Sequence, residues 1–509
     1  MNTPALRGLL QSESFYAPEF DRSLNNMSPS TDSAGPLDGQ PAGASPEVPA
    51  GTPTGTSPEP GHPAPPARTN LVQAAAWALW DWGSSAYSAV IVTFVFAPYL
   101  VKAVAEDPVS GTAALGWASG LAGLVVAVVA PAAGARADAK SRHRRLLTIY
   151  TGVVVACVFA LAFIKSEPVF FLPGLIFLAA ASVFFELAQV SYNAMLGRIA
   201  APNSVGKVSN IGWGFGYLGG LAMLLIALFA FILPEVGLFG AVSEGGWRFR
   251  LVAGATAVWF AVWAVPLIFL APRDASGAQV QTARARSGNP VAEWFTSWKQ
   301  DYKDLFRRLK DLFQNDRQTF VFFIASAVFR DGLTTIFAVA GVLAASAYGF
   351  TETQVIYLGI AANVVAAIGC LVSGPLDDAV GPRAVIITGL TCLCIGAVPI
   401  LLSDSPTVFW ACALFLCLFV GPVNASSRSF LTRITPPERA GENFGLYATT
   451  GRAISFLGPW LFSLSITIFG FERAGAAGII VVLLLGLALM LAVPRTGPGL
   501  RQAEQAARS

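Results

Sequence analysis

The sequence predicts an all-α integral membrane protein with twelve transmembrane helices in two parallel-related six-helix halves. Three observations predict it. Hydrophobic residues make up 54% of the 509 and charged residues 12%, with a mean hydropathy of +0.59, a balance that suits a chain solvated mostly by lipid. Roughly twelve apolar stretches run to about 20 residues each, long enough to cross the hydrocarbon as helices. An eleven-residue pattern also occurs twice, about 235 residues apart: Leu196-x-Arg198-Ile199-x-x-Pro202-x-x-x-Gly206 and Leu431-x-Arg433-Ile434-x-x-Pro437-x-x-x-Gly441, with Gly216 and Gly451 ten residues further on. Each copy lies between two apolar runs and carries its Arg just past the first, as a short turn between two membrane helices does.

The elements follow in chain order. Residues 1–70 are a Pro/Gly/Ser-rich tail with no apolar period, a composition that cannot bury a core and predicts disorder. The first half, 71–270, holds spans expected at 76–104, 113–134, 146–164, 169–192, 208–233 and 251–270. A linker at 271–317 follows. In it Trp294, Trp298, Tyr302, Leu305, Leu309 and Leu312 recur at spacings of three and four, with Lys299, Lys303, Arg307, Arg308 and Lys310 on other faces. That pattern predicts an amphipathic helix over 293–313 lying in the headgroup region. The second half, 318–494, holds spans expected at 320–347, 355–374, 384–402, 407–425, 444–469 and 474–493, and 495–509 form a short tail.

Lys and Arg set the orientation. Arg136, Lys140, Arg142, Arg144, Arg145, Arg198, Lys207, Arg383, Arg433 and Arg439 fall in loops on one side, with the basic linker. Those loops are expected to face the cytoplasm, placing both termini there and the protein in the cell membrane. The net charge of +3 is therefore a topology signal and does not point to nucleic acid.

Cys157, Cys370, Cys392, Cys394, Cys412 and Cys417 all lie in expected spans, and the two histidines are His62 in the tail and His143 in a basic loop. No metal-ligand spacing results. With no nucleophile-and-base cluster and no phosphate-binding glycine loop, neither an enzyme nor a cofactor is expected.

Function is sought in ionisable groups that hydrocarbon makes expensive, at about 3 kcal/mol each on insertion scales. Asp81, Glu186, Arg330, Asp331 and Arg452 qualify. Asp331 falls near mid-depth and leads as a substrate or proton site, with Asp81 in the corresponding first span of the other half. Arg330 and Asp331 could instead form an ion pair that fixes packing, and Asp81, among Trp77, Trp80 and Trp82, could sit in an aromatic belt. Glu186, Gln189 and Asn193 make one polar stripe that faces either a cavity or a neighbouring helix. Arg452 could meet a substrate carboxylate or neutralise an acid. Gly212, Gly214, Gly216, Gly219 and Gly220, matched more loosely by Gly445, Gly451 and Gly458, form smooth faces for close helix approach.

Two turns carry a resemblance. The stretches 134–142 (GARADAKSR) and 374–383 (GPLDDAVGPR) resemble the loop motif of the major facilitator superfamily. The resemblance implies a cytoplasmic gate at Gly134, Asp138 and Arg142, and at Gly374, Asp378 and Arg383, in which an aspartate meets a helix terminus. Both copies depart from the motif, with Ala139 and Ala379 in place of basic residues and Ser141 in place of glycine.

Further motifs narrow the resemblance. Trp80-Asp81-Trp82-Gly83-x-Ser85-Ala86-Tyr87, Phe94-x-Phe96-x-Pro98-Tyr99, Tyr192-Asn193-Ala194, Phe329-Arg330-Asp331-Gly332 and Gly421-Pro422-x-x-Ala425-x-Ser427-Arg428-Ser429 are together similar to the vacuole effluxer family related to autophagy protein 22. That similarity implies a twelve-helix secondary transporter for amino acids. The expected pathway residues are Asp81, Tyr87, Glu186, Asn193, Arg330, Asp331 and Arg452, the expected partners are the lipid bilayer, an amino acid and protons, and alternating access is the expected mechanism. A drug or lipid-like exporter of the same fold, or a membrane sensor that binds without transport, are the alternatives.

Overall fold

Twelve helices long and apolar enough to cross a membrane are present among the described residues of the computed structural model, which are 68–139, 141–242, 244–272, 303, 307, 310 and 312–493. The first half comprises α1 (Leu71–Val104), α2 (Pro108–Ala139), α3 (His143–Leu161), α4 (Pro168–Ile199), α5 (Val205–Ile232) and α6 (Glu244–Leu270). The second comprises α7 (Arg317–Tyr348), α8 (Glu352–Val380), α9 (Pro382–Leu402), α10 (Pro406–Ile434), α11 (Pro437–Phe469) and α12 (Glu472–Ala492). The tails and most of the linker lie outside the described residues, and the expected amphipathic helix at 293–313 falls almost wholly there.

Local chemistry explains where helices begin and end. Asp316 caps α7, its side chain accepting from Thr319 N at 3.2 Å. Thr351 and Gln354 form a reciprocal capping box at the start of α8. Gly349, at φ 67°, closes α7 in the left-handed conformation. Pro382 and Pro406 stand in the first turns of α9 and α10, where a missing N–H costs nothing. Helix α11 is broken between Ile454 and Leu457. Pro459 cannot donate to the carbonyl of Ser455 four residues back, so the ladder has no bond to carry it through.

The described residues form two apolar cores, one within the first half and one that joins the second half to Val126, Ala130 and Leu187 of the first. Trp77, Trp80, Tyr192 and Phe260 are buried in the first. Phe322, Phe329, Phe409 and Phe444 are buried in the second. The halves meet mainly where α2 packs on α11 and α5 on α8, two pairings that the sequence duplication exchanges.

Several spans run past their expected ends. Helix α8 continues from the expected 374 to Val380, α2 from 134 to Ala139 and α10 from 425 to Ile434. The aspartates of both turn motifs therefore sit on the last turns of helices, not in free loops. Ser141, where the motif has glycine, is held at φ 45°, a conformation that costs a non-glycine residue about 1–2 kcal/mol. Ser141→Gly is expected to raise stability by up to about 1 kcal/mol after the entropy of a freer unfolded chain is deducted. Thermal unfolding in detergent reads this directly, and a lowered midpoint would mean that the serine side chain contributes more than its backbone costs.

Candidate transport pathway

Three layers of polar contacts tie the halves together, from the end that carries the basic loops to mid-depth. The outermost layer is a crossed pair of latches. Asp138, at the end of α2, accepts from the backbone N–H of Gly441 at 2.9 Å and of Glu442 at 2.8 Å in the first turn of α11's inner segment. Asp378, at the end of α8, accepts from Gly206 N at 2.8 Å and Lys207 N at 2.9 Å in the first turn of α5. A carboxylate on unsatisfied N–H groups at the positive end of a helix dipole is a favourable pairing. Gly206 and Gly441 are the last residues of the two copies of the duplicated pattern, so one latch is the image of the other.

Glycine permits this approach. A Cβ on Gly134 would run into the carbonyl of Gly441, and one on Gly441 would lie 2.6 Å from Gly134 O. A Cβ on Gly374 would lie 3.2 Å from Lys207 Cα. The two latches differ in the side chain set beside each aspartate. Arg433 donates to Asp378 Oδ1 at 2.6 Å and to Asp377 Oδ1 at 3.3 Å, whereas buried His143 sits on Asp138 Oδ1 at 2.8 Å. Arg142 is exposed, and Arg383 donates to the carbonyls of Leu491 and Val493 at the end of α12. His143 and Arg433 thus stand where the turn motif had suggested Arg142 and Arg383.

The second layer is built on Arg428, which is 2% exposed. From α10 it crosses to the first half, donating to Asp81 Oδ2 at 3.3 Å, Asn193 Oδ1 at 3.3 Å, Ser209 Oγ at 3.0 Å and Ser209 O at 2.6 Å. Its guanidinium lies over the rings of Trp77, Tyr192 and Trp213, 4.4, 5.7 and 5.1 Å from their centroids. Trp77 and Tyr192 stack 4.3 Å apart and exchange bonds with each other's carbonyls at 3.1 and 3.2 Å. Asp81 is buried in this cluster, not in an aromatic belt at the interface. Arg428 was missed from sequence because the tenth span was expected to stop at 425. The signal available was the duplication: at its 235-residue spacing Arg428 corresponds to Asn193, the residue it bonds.

The third layer lies about 20 Å along α7, at 1.5 Å per residue. Arg452 of α11 pairs with Glu186 of α4, joining the halves. Arg330 lies 3.8 Å from the ring centroid of Tyr447 and donates to Tyr447 O at 3.3 Å. Its neighbour Asp331 turns elsewhere and accepts from Gly458 N at 2.5 Å, at the break in α11. The alternative of an Arg330–Asp331 ion pair gives way to two separate contacts with α11. Asp81 packs on Gly212 and Gly216, and the residues 235 further on, Tyr447 and Gly451, are the ones Arg330 meets. By packing, Arg330 and not Asp331 is the counterpart of Asp81. Tyr87 bonds Ser182 at 2.9 Å inside the first half.

This arrangement holds one exchangeable ion pair at mid-depth. The Glu186–Arg452 pair has side chains 24% and 39% exposed, so a polar solute can compete for either charge. Nearer the basic loops, Arg428, Asp81, Asp138 and His143 are buried, while Asp378 and Arg433 are partly exposed.

A family model described as "Vacuole effluxer Atg22 like" matches residues 109–503. The chain is 26% identical over 427 residues to YxiO of Bacillus subtilis, described as an uncharacterized MFS-type transporter, covering 82% of this chain and 94% of that one. It is 25% identical over 307 residues to autophagy-related protein 22 of Cryptococcus neoformans, covering 56% of this chain and 49% of the relative, about half of that longer protein. Among solved structures, the proton:xylose symporter XylE superposes with a TM-score of 0.61 at 14% identity, covering 83% of this chain and 95% of XylE. That likeness shows the major facilitator fold.

Proposed function

Since the chain belongs to the Atg22-like vacuole effluxer family and is a transporter of the major facilitator fold, we propose that it moves amino acids by alternating access, coupled to protons. The Glu186–Arg452 pair carries this reading. It offers an anion and a cation on opposite halves, the complement of a zwitterion's ammonium and carboxylate. A solute that replaces the pair's contacts bridges the halves and gives them reason to rock together about mid-depth.

Proton coupling is assigned to Glu186. Asp81 is committed to Arg428 and Asp331 to Gly458 N, which leaves Glu186 as the partly exposed carboxylate of the third layer. Protonation there removes one partner of Arg452 and frees the guanidinium for a substrate carboxylate. The basic-loop end is taken as cytoplasmic and the protein as resident in the cell membrane.

Uptake of labelled amino acids into proteoliposomes, with and without a proton gradient, tests both parts. The parent is expected to accumulate substrate only with the gradient. Glu186→Gln is expected to keep exchange of substrate for substrate while losing gradient-driven accumulation. Arg452→Gln is expected to lose both, by at least about ten-fold, the effect of some 1.4 kcal/mol. Accumulation that ignores a collapsed gradient would remove proton coupling, and a parent inert to every amino acid would remove the substrate class.

A further inference from the structure

The second half forms most of the wall of a partly open cavity of about 380 Å³ between α7, α8, α9, α10 and α12, and none of Asp81, Glu186, Arg330, Asp331, Arg428 and Arg452 lines it. Its walls are apolar, formed by Ile336, Leu343, Leu358, Phe409, Leu416 and Ile479 among others. The two polar side chains that reach it each give one hydrogen bond to a carbonyl of their own helix. Asn363 Nδ2 donates to Gly359 O at 2.8 Å, and Thr93 Oγ1 to Ser88 O at 2.9 Å. Thr93 and the exposed Phe94 belong to α1, so the first half supplies part of the wall.

The volume is that of a small-molecule site. A charged or zwitterionic solute entering it would give up its water and find no charged partner. Water fares little better over most of the wall, since it needs two or more polar contacts and only Asn363 and Thr93 offer any from side chains. Hydrocarbon meets neither objection and replaces the dispersion contacts that an empty space forfeits. We propose that this cavity binds one uncharged hydrocarbon ligand, an acyl chain or a free lipophile of similar size, at a site separate from the path of the transported solute.

Photolabelling of the full chain in lipid nanodiscs tests this. One arm uses a phosphatidylcholine with a diazirine midway along an acyl chain, and the other a diazirine-bearing dodecane. Adducts mapped by mass spectrometry are expected on 336–343 and 409–417. Labelling by the phospholipid identifies the membrane's own chain as the occupant, and labelling by the alkane alone a free lipophile. Ala413→Phe, which puts a ring into the cavity, is expected to lower these adducts at least about ten-fold while those on the exposed Val398 and Leu402 of α9 persist. Ala476→Leu fills from another wall and serves if the first variant fails to fold. Adducts confined to exposed residues, or cavity adducts unchanged in both variants, overturn the proposal.

Discussion

Arg428→Ala is expected to abolish transport and to lower stability by about 3–5 kcal/mol, the cost of leaving a buried charge without its partner. The stranded group is Asp81, 6% exposed and bonded by Arg428 across the two halves. Ser209 and Asn193 lose donors in the same step. Arg428→Lys is not a mild change, because an ammonium cannot reach Asp81, Asn193 and Ser209 together or lie flat against Trp77. The double variant Arg428→Gln/Asp81→Asn removes both charges and is expected to regain most of the stability but none of the transport. Thermal unfolding of purified protein, with uptake on the same samples, separates the two effects. If Arg428→Ala unfolds at the parent's midpoint, the second layer is not a buried tie. If the double variant transports, the layer packs the halves without serving their movement.

The sequence carried the architecture well and the chemistry unevenly. Length and apolarity alone locate twelve membrane helices, because lipid leaves the backbone few other choices. The duplication adds how the halves correspond. Helix ends were harder to read. In α10, Ser426, Ser427, Arg428 and Ser429 lower the hydropathy that marks a span, yet the helix runs on to Ile434 because those residues are buried in protein. Arg428 escaped notice for that reason. Asp331 stood out as an intramembrane charge, but its partner is a backbone N–H exposed by a break in α11, and no spacing in sequence joins residues 127 apart. His143 looked like one more basic loop residue. Its burial against Asp138 depends on α11 arriving from the other half.

Gly134→Ala is expected to shift the resting state from closed to open at the basic-loop end. The added methyl collides with the Gly441 carbonyl, and both are backbone-bearing residues of helices that cannot swing aside as a long side chain would. Relief requires α2 and α11 to separate, which breaks the bonds from Gly441 and Glu442 to Asp138. An overlap costing about 3 kcal/mol changes the ratio of the two states about a hundredfold. Gly441→Ala meets Gly134 O and the His143 ring from the other side and should act alike, whereas Gly116→Ala, in α2 with open space around it, should not. Spin labels at the exposed Arg142 and Glu438, in a background freed of native cysteines, report the separation. The parent and Gly116→Ala should give one short distance, and the two latch variants a longer one with slowed transport. An unchanged distance in Gly134→Ala would show that the latch yields locally, and that closure at this end is not held by the fit of two glycines.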